Sequence, residues 1–526
     1  MAAISVTGVT KSYGSKKLFF DVNVVFSEGK RFGLTGPNGA GKSTFMKILA
    51  GDLEPDYGSV ARPEKTSVLK QDQFAFEDIR VLDVVIMGNK RLWAAMTEKE
   101  ALYALGEISD AQGERLGELE GLVGEEDGYA AEADAGELLM GLGIPVSEHQ
   151  RPMKEIAGGL KLRVLLAQAL FGKPDALLLD EPTNNLDLDT IRWLEEFLTN
   201  YKGVLITISH DRHFLNAVCT HIADIDYETI ITYPGSYDDM VMTKSQVRSR
   251  VEQDNAERQK KVSQLQDFVA RFAAGTRASQ VQSRKKQIEK LAPTELKKSN
   301  IERPFILFQQ ARPSGKQTLA IEGLSKRWPG VKVCDKFNAI VTKGEKIAIV
   351  GKNGVGKTTL CKMLMGELMP DAGTVTWGYQ AQVGYLAQDH RDSIPHDTTV
   401  FDWLHSIDET AGNQEIRGLL GKMMFKGDEG EKITNALSGG EAVRLMFAKL
   451  MLTRDNVLVL DEPSNHLDLE SIVALGTALE RYDGTAFVVT HDRDLISDFA
   501  TRLFAFTDQG LVDFPGSYED FLAQHG

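Results

Sequence analysis

The chain has 526 residues, too many for one ordinary domain, with 42% hydrophobic and 26% charged residues, the composition of a globular protein with packed cores. No run of about 18 apolar residues is present, which excludes a membrane-spanning helix. The formal net charge of −15 argues against a nucleic-acid partner until its distribution is read.

The N-terminal MAAISVTGVTKSYG has no basic segment followed by an apolar one, so no secretory signal is expected. The first copy of a repeat begins here. An apolar, strand-like RFGLT runs into GPNGAGKS at 36–43, a G-x-x-x-x-G-K-[ST] loop that opens a helix-like run. In such a loop Gly36, Asn38, Gly39 and Gly41 let the backbone wrap phosphates with its N–H groups. Lys42 reaches the β- and γ-phosphates, Ser43 ligates Mg²⁺, and Thr44 completes the ATP-binding set. Gln71 follows, in QDQFAFE.

Residues 90–130 look helical and acidic, with 12 acidic and 2 basic residues between Glu98 and Asp134. Such a segment is repelled by phosphates and suits a basic protein surface. AGGLK stands at 157–161 and ALLLDE at 176–181, where Asp180 closes a buried strand to hold Mg²⁺ and Glu181 polarises the attacking water. Asp187 and the ISHDR motif, with His210, complete the copy.

From Lys244 to Arg303 there are 15 Lys/Arg and 7 Asp/Glu, a local charge of +8 inside an acidic chain. Val251, Val262, Leu265, Val269 and Phe272 recur at helical spacing, residues 273–279 break the stripe, and Val281, Ile288 and Leu291 resume it before Pro293. An α-helical hairpin is expected. Its basic residues Arg271, Arg277, Arg284, Lys285 and Lys286 are candidates for RNA phosphate contacts.

The second copy repeats every motif: GKNGVGKT at 351–358, with Gly351, Asn353, Gly354, Gly356, Lys357, Thr358 and then Thr359; Gln388; LSGGE at 437–441; VLVLDE at 457–462, with Asp461 and Glu462; Asp468; and VTHDR with His491. The offset between copies is 317 at Gln71 and 281 from Gly158 onward, so the first copy carries about 36 extra residues between them. The three cysteines, Cys219, Cys334 and Cys361, form no C-x-x-C pair, and a reducing compartment fits them.

LSGGE about twenty residues before L-D-E-P, with both phosphate loops, resembles the ATP-binding cassette (ABC) ATPases along nearly the whole chain outside the insertion and linker. The resemblance implies an α/β fold: two tandem ABC-type P-loop ATPase domains joined by an α-helical hairpin linker. The boundaries are 1–244 for the first cassette, 245–316 for the linker and 317–526 for the second cassette. It implies that Gln71 and Gln388 sense Mg²⁺ and water, that Asp187 and Asp468 cross between cassettes, that His210 and His491 are switch histidines, and that Tyr13 and Trp328 stack on adenine. Head-to-tail closure pairs Lys42 with Ser438, Gly439 and Gly440, and Lys357 with Gly158 and Gly159.

The arm after the first glutamine, the basic linker and the QDQFAFE stretch resemble the ABC-F family, in its YbiT-like subgroup. That resemblance implies a cytoplasmic monomer that binds the ribosomal E site with ATP and acts on the P-site tRNA and peptidyl transferase centre. Its contacts would be with rRNA and tRNA through the linker and with a basic ribosomal protein through the acidic arm. A transporter ATPase subunit shares the nucleotide motifs but leaves the basic linker unexplained. Chromosome- or repair-type cassettes carry longer coiled coils or zinc modules, and a nucleotide-regulated scaffold would scarcely hydrolyse. AGGLK departs from the LSGGE pattern: Ala157 lacks a hydroxyl and Leu160 a polar group, which predicts a slower or more tightly closed Lys357 site. The lost hydrogen bond to a charged phosphate is worth about 1.5–3 kcal/mol.

Overall fold

The computed structural model describes residues 3–14, 16–37, 39–69, 76–105, 109–184, 186–247, 262, 265, 303–329, 331–465, 467–507 and 509–525. Asn38, Gln71, and Arg271, Arg277, Arg284, Lys285 and Lys286 of the expected hairpin lie outside the described residues.

Each half of the chain builds a six-stranded sheet and a three-stranded one. In the first half the large sheet runs Thr66–Val68, Ala176–Asp180, Val204–Ile208, Arg31–Thr35, His221–Asp226, Thr229–Pro234 in spatial order. Its first five strands are parallel and only the last pairing is antiparallel. The second half repeats this order as Val383–Leu386, Val457–Asp461, Thr485–Val489, Lys346–Val350, Arg502–Thr507, Gly510–Phe514. The central strands are continuous apolar runs because both faces are covered: every residue of Val204–Ile208 and of Thr485–Val489 is buried. The small antiparallel sheets, Lys16–Ser27, Ala3–Tyr13, Tyr57–Ala61 and Val331–Thr342, Gln317–Trp328, Ala372–Trp377, each pack onto one of the large ones.

Helices form a second core in each half. In the first, Val81–Ile86, Ala131–Gly141 and Gly158–Leu170 share buried apolar residues with the sheet. Between them project Lys90–Ala104 and Asp110–Glu125, capped by Asn89 and by a Ser109–Gln112 capping box. Arg91 with Glu125 and Arg115 with Glu98 pair these two helices in antiparallel order.

The two halves meet through reciprocal contacts. Leu188 of the first is buried in the core of the second, and Leu469, 281 residues on, is buried among Leu215, Cys219, Ile222 and Met240 of the first. Arg493 Nη1 donates to Glu195 Oε2 at 3.4 Å and Arg493 Nη2 to the Leu188 carbonyl at 3.3 Å. Among the described residues no helix is long and apolar enough to cross a membrane. Cys219, Cys334 and Cys361 are buried free thiols.

Candidate active site

Parallel strands deliver loops to one edge of a sheet, and the strand order decides which loops meet there. In the first half the central Arg31–Thr35 lies beside Val204–Ile208, which lies beside Ala176–Asp180. Their carboxyl ends therefore bring the phosphate loop, His210, and Asp180 with Glu181 together. The second half does the same with Lys346–Val350, Thr485–Val489 and Val457–Asp461.

Each loop turns at a glycine that no other residue could replace cheaply. Gly36 has φ +143°, and a Cβ there would stand 2.7 Å from the Ile225 carbonyl oxygen; Gly351 has φ +148°, and its Cβ would meet Phe506 Cβ at 2.6 Å. Lys42 Nζ donates to the Gly36 carbonyl at 2.8 Å, and Lys357 Nζ donates to the Gly351 and Lys352 carbonyls at 3.0 Å. Burial lowers the pKa of both lysines, which nearby carboxylates oppose.

Both glutamates of the D-E pairs sit in the left-handed region, Glu181 at φ 52° and Glu462 at φ 51°. Such backbone costs about 1–3 kcal/mol for a non-glycine residue and persists where surrounding bonds fix it. Here the fixing bonds are Glu181 N to the Ile208 carbonyl and Glu462 N to the Val489 carbonyl, each 2.9 Å. Glu181 Oε1 and Glu462 Oε1 lie 3.3 Å from His210 Nε2 and His491 Nε2. Burial, reinforced for Glu181 by Asp180, pushes the Glu181 carboxyl up to about 7; burial pushes Glu462 up to about 8. Burial holds His210 down at about 4 and His491 at about 3, so both imidazoles are neutral at physiological pH.

Asp180 is raised by burial. Asp461 is pushed up to about 6 by burial, and both its carboxylate oxygens are buried without a hydrogen-bond partner. The neighbouring Thr358 Oγ1 donates to Gln388 Oε1 at 3.2 Å. Buried carboxylate, hydroxyl and amide oxygens are the donor set that a hard divalent cation such as Mg²⁺ takes.

The halves complete each other. A cavity of about 640 Å³ is lined by Asn353, Gly354, Gly356, Lys357, Thr358, Thr359 and Gln388 of the second half. Ala157, Gly159, Leu160 and Arg163 of the first half face them, and the cavity extends to Glu181 and His210 on one side and Glu462 and His491 on the other. Asp187 caps helix Leu188–Thr199 through Thr190 N at 3.0 Å and accepts from Asn353 N of the other half at 3.3 Å. Its burial raises the pKa, but Thr190, Arg163 and Asn353 outweigh that and hold it down at about 2.

Beside Lys42 lies a second, smaller cavity of about 30 Å³, lined by Gly36, Pro37, Lys42 and His210 of the first half and Asp468, Leu469 and Glu470 of the second, which does not reach Ser43, Asp180 or Glu181. Asp468 caps helix Leu469–Glu480 through Ser471 N at 2.9 Å. Ser438, Gly439 and Gly440 are not among the residues lining this cavity. Ser438 instead caps its own helix, accepting from Glu441 N at 3.3 Å while Ser438 N donates to Glu441 Oε2 at 2.7 Å. Tyr13 and Trp328 close the first strands of the small sheets, 54% and 48% exposed, each under a lysine ammonium at 5.8 and 5.2 Å.

Sequence reasoning did not single out Arg163. It is buried, donates to the Asp187 carboxylate at 3.3 Å and lines the larger cavity. Its recurrence as Arg444, 281 residues on, was the available signal. Arg493 recurs as Arg212, but its partner Glu195 carried no such signal, because Gly476 stands at the position that repeats it.

Against known proteins, the family described as ABC transporter matches residues 19–184 and 334–465, and an extension family of the same description matches 223–307. The chain is 49% identical over 524 residues to "Probable ATP-binding protein YbiT" of Escherichia coli O157:H7, covering 99% of each. It is 45% identical to "Uncharacterized ABC transporter ATP-binding protein YkpA" of Bacillus subtilis (strain 168), covering 99% of this chain and 97% of that protein. It is 33% identical to "ABC transporter F family member 5" of Arabidopsis thaliana, covering all of this chain and 78% of that protein. A structure of archaeal ribosome recycling factor aABCE1, in complex with ribosomal stalk protein aP1, superimposes with TM-score 0.64 at 21% identity, covering 98% of this chain and 92% of that one. This last likeness is one of fold. The chain belongs to the ABC family, in its F branch beside the YbiT-like proteins, and is an ATPase carrying two cassettes.

Proposed function

We propose that the chain is a translation factor that binds the ribosomal E site in an ATP-dependent way and acts on the P-site tRNA and peptidyl transferase centre through residues 245–316. The observation that carries this reading is the charge of +8 between Lys244 and Arg303 in an F-branch ATPase of net charge −15. A positive segment between two acidic cassettes gives rRNA and tRNA phosphates one place to bind, and Arg271, Arg277, Arg284, Lys285 and Lys286 are its proposed contacts. Asp110–Glu125 and the turn that follows it, inside the acidic stretch Glu98 to Asp134, offer an acidic surface to a basic ribosomal protein. The protein works as a cytoplasmic monomer, because its two cassettes already pair within one chain.

In the ATPase cycle the phosphate-loop backbone and Lys42 or Lys357 hold the phosphates, while Tyr13 or Trp328 takes the adenine face. The first-cassette glycines Gly158 and Gly159 and the aspartate Asp187 close over the Lys357 site, and Asp468 closes over the Lys42 site. Ser43, Gln71 and Asp180, and Thr358, Gln388 and Asp461, hold Mg²⁺, a fit that the unpartnered Asp461 oxygens support. Bound there, Mg²⁺ supplies positive charge to the phosphate oxygens. Glu181 and Glu462 orient and polarise the attacking water, beside neutral His210 and His491, with the His210 backbone N–H donating to Glu181 Oε2 at 3.2 Å. Closing the cassettes over ATP expels water, and hydrolysis removes the phosphate that holds the halves together.

The test is sedimentation of Glu181→Gln/Glu462→Gln protein through sucrose with purified ribosomes. Co-sedimentation that requires ATP and weakens with salt is the expected result. No association at low salt removes the ribosome and moves a membrane-transporter partner to first place.

A further inference from the structure

The two helices that present signature glycines to the opposite cassette are anchored by different chemistry. Gly439–Thr453 begins with a full capping box between Ser438 and Glu441, and Glu441 also pairs with Lys432 at 2.9 Å. Gly158–Leu170 has none of this. Ala157 makes no side-chain cap, and Leu160 stands where Glu441 closes the box.

The next residue is Lys161, whose counterpart is Ala442. Lys161 is 8% exposed, and its Nζ lies 2.6 Å from Glu77 Oε1. An ammonium in the first turn of a helix sits at the positive end of the helix dipole and is disfavoured there. The Glu77 carboxylate supplies the negative charge that end prefers. Glu77 is itself fixed to the strand of chain leading into the signature: Lys154 N donates to the Glu77 carbonyl and Met153 N to the Ile79 carbonyl, both at 2.9 Å, and Lys154 Nζ reaches Asp78 at 2.8 Å. Lys161 does not line the 640 Å³ cavity, whereas Ala157, Gly159 and Leu160 do. In the second cassette the tie runs the other way, with Arg391 Nη2 donating to the Leu437 carbonyl at 3.1 Å.

We infer that Lys161 and Glu77 form a positioning pair that sets the first signature glycines against the Lys357 phosphate loop, replacing the serine cap that Ala157 has lost. The pair acts through Gly158 and Gly159, not on the substrate. The inference rests on reading the Lys357 cavity as a composite ATP site.

The experiment is single-turnover ATP hydrolysis by full-length protein in two backgrounds. Glu181→Gln leaves the Lys357 site working, and Glu462→Gln leaves the Lys42 site. In the first background Lys161→Met lowers kcat about ten- to hundredfold, the scale of a misplacement of about 1 Å. In the second background the same substitution changes kcat less than about twofold. The exchange Lys161→Glu/Glu77→Lys restores the Lys357 site to within about threefold of its starting rate, as coupled partners do. If Lys161→Met does not fold, Glu77→Gln keeps the shape and is read the same way. Equal losses at both sites, an unchanged Lys357 site, or an exchange that restores melting temperature but not rate would overturn the pair as a positioning device. No hydrolysis in the Glu181→Gln background with Lys161 intact would instead overturn the composite-site reading beneath it.

Discussion

The Lys42 and Lys357 sites are two copies of one design, and they differ where each borrows from the other cassette. The cavity around Lys357 faces a signature without serine and runs on to Glu181 and His210; beside Lys42 a separate small cavity faces Asp468, Leu469 and Glu470. The glutamate–histidine pairs of the two halves match closely. Glu181 and Glu462 share the same strained backbone, the same 3.3 Å approach to a neutral histidine and the same burial-raised carboxyl. Two sites with equal chemistry and unequal lids should differ in how often the lid is in register rather than in the bond-breaking step.

The largest effect expected is from the glutamates. Removing both, as Glu181→Gln/Glu462→Gln, should lower phosphate release by about 10²–10⁴-fold. The single changes sharpen the comparison: Glu181→Gln should remove the larger share of steady-state turnover, because the Lys357 site carries the weakened signature. Equal residual rates would show that Ala157 and Leu160 cost nothing. Next come the loop glycines. Gly36→Ala and Gly351→Ala each force a Cβ into a neighbour at under 3 Å, so each should abolish nucleotide binding at its own site in filter-binding or fluorescent-ATP titrations. Loss at both sites from one change would break the picture of separable sites.

A smaller effect tests the signatures directly. Ala157→Ser/Leu160→Glu rebuilds in the first helix the box that Ser438 and Glu441 make in the second. The box should add about 0.5–2 kcal/mol of stability and raise the Lys357 rate toward that of the Lys42 site. Ser438→Ala should cost a similar amount and leave the Lys357 site unchanged. Calorimetry with single-turnover kinetics reads both.

How much of this was legible in the sequence depends on range. The phosphate loops, the D-E pairs and the histidines are short motifs whose spacing is dictated by phosphate and backbone geometry, and the repeat offset of 281 showed which residues are equivalent. The buried central strands are legible in the apolar runs ALLLD and VLVLD, which a strand covered on both faces carries. What could not be read were pairs formed across long stretches and present in only one copy. Glu77 and Lys161 are 84 residues apart, and Glu195 and Arg493 are 298 apart. A repeat reveals what both copies keep, so a charge that one copy has and the other lacks looks like surface variation until its partner is placed beside it.

The finest comparison concerns the two aspartates of the H-D-R motifs, which face each other across the cassette interface. Asp211 caps helix Arg212–Val218 through Phe214 N and Asp492 caps Arg493–Phe499 through Leu495 N, each at 2.9 Å. Burial pushes Asp211 up to about 6, and burial with the Asp211 charge pushes Asp492 up to about 7. Their ordinary value is near 3.8, so between there and about 7 the native protein binds more protons than the unfolded chain. Stability must therefore fall as pH rises through that window. Asp494 and Asp498 add to the strain on Asp492, while Arg493 relieves Asp211. In nucleotide-free protein, denaturant midpoints at about pH 5 and about pH 8 should differ by an amount worth on the order of 1–3 kcal/mol per group. Asp492→Asn keeps the cap, because asparagine accepts the same backbone bond, and removes the charge that Asp211 opposes. It should shrink the pH dependence without abolishing it, since Glu181 and Glu462 titrate in the same direction. A pH dependence unchanged by Asp492→Asn would mean that the Asp492 carboxyl keeps its ordinary value, and that its surroundings at the cassette interface are wetter than its burial requires.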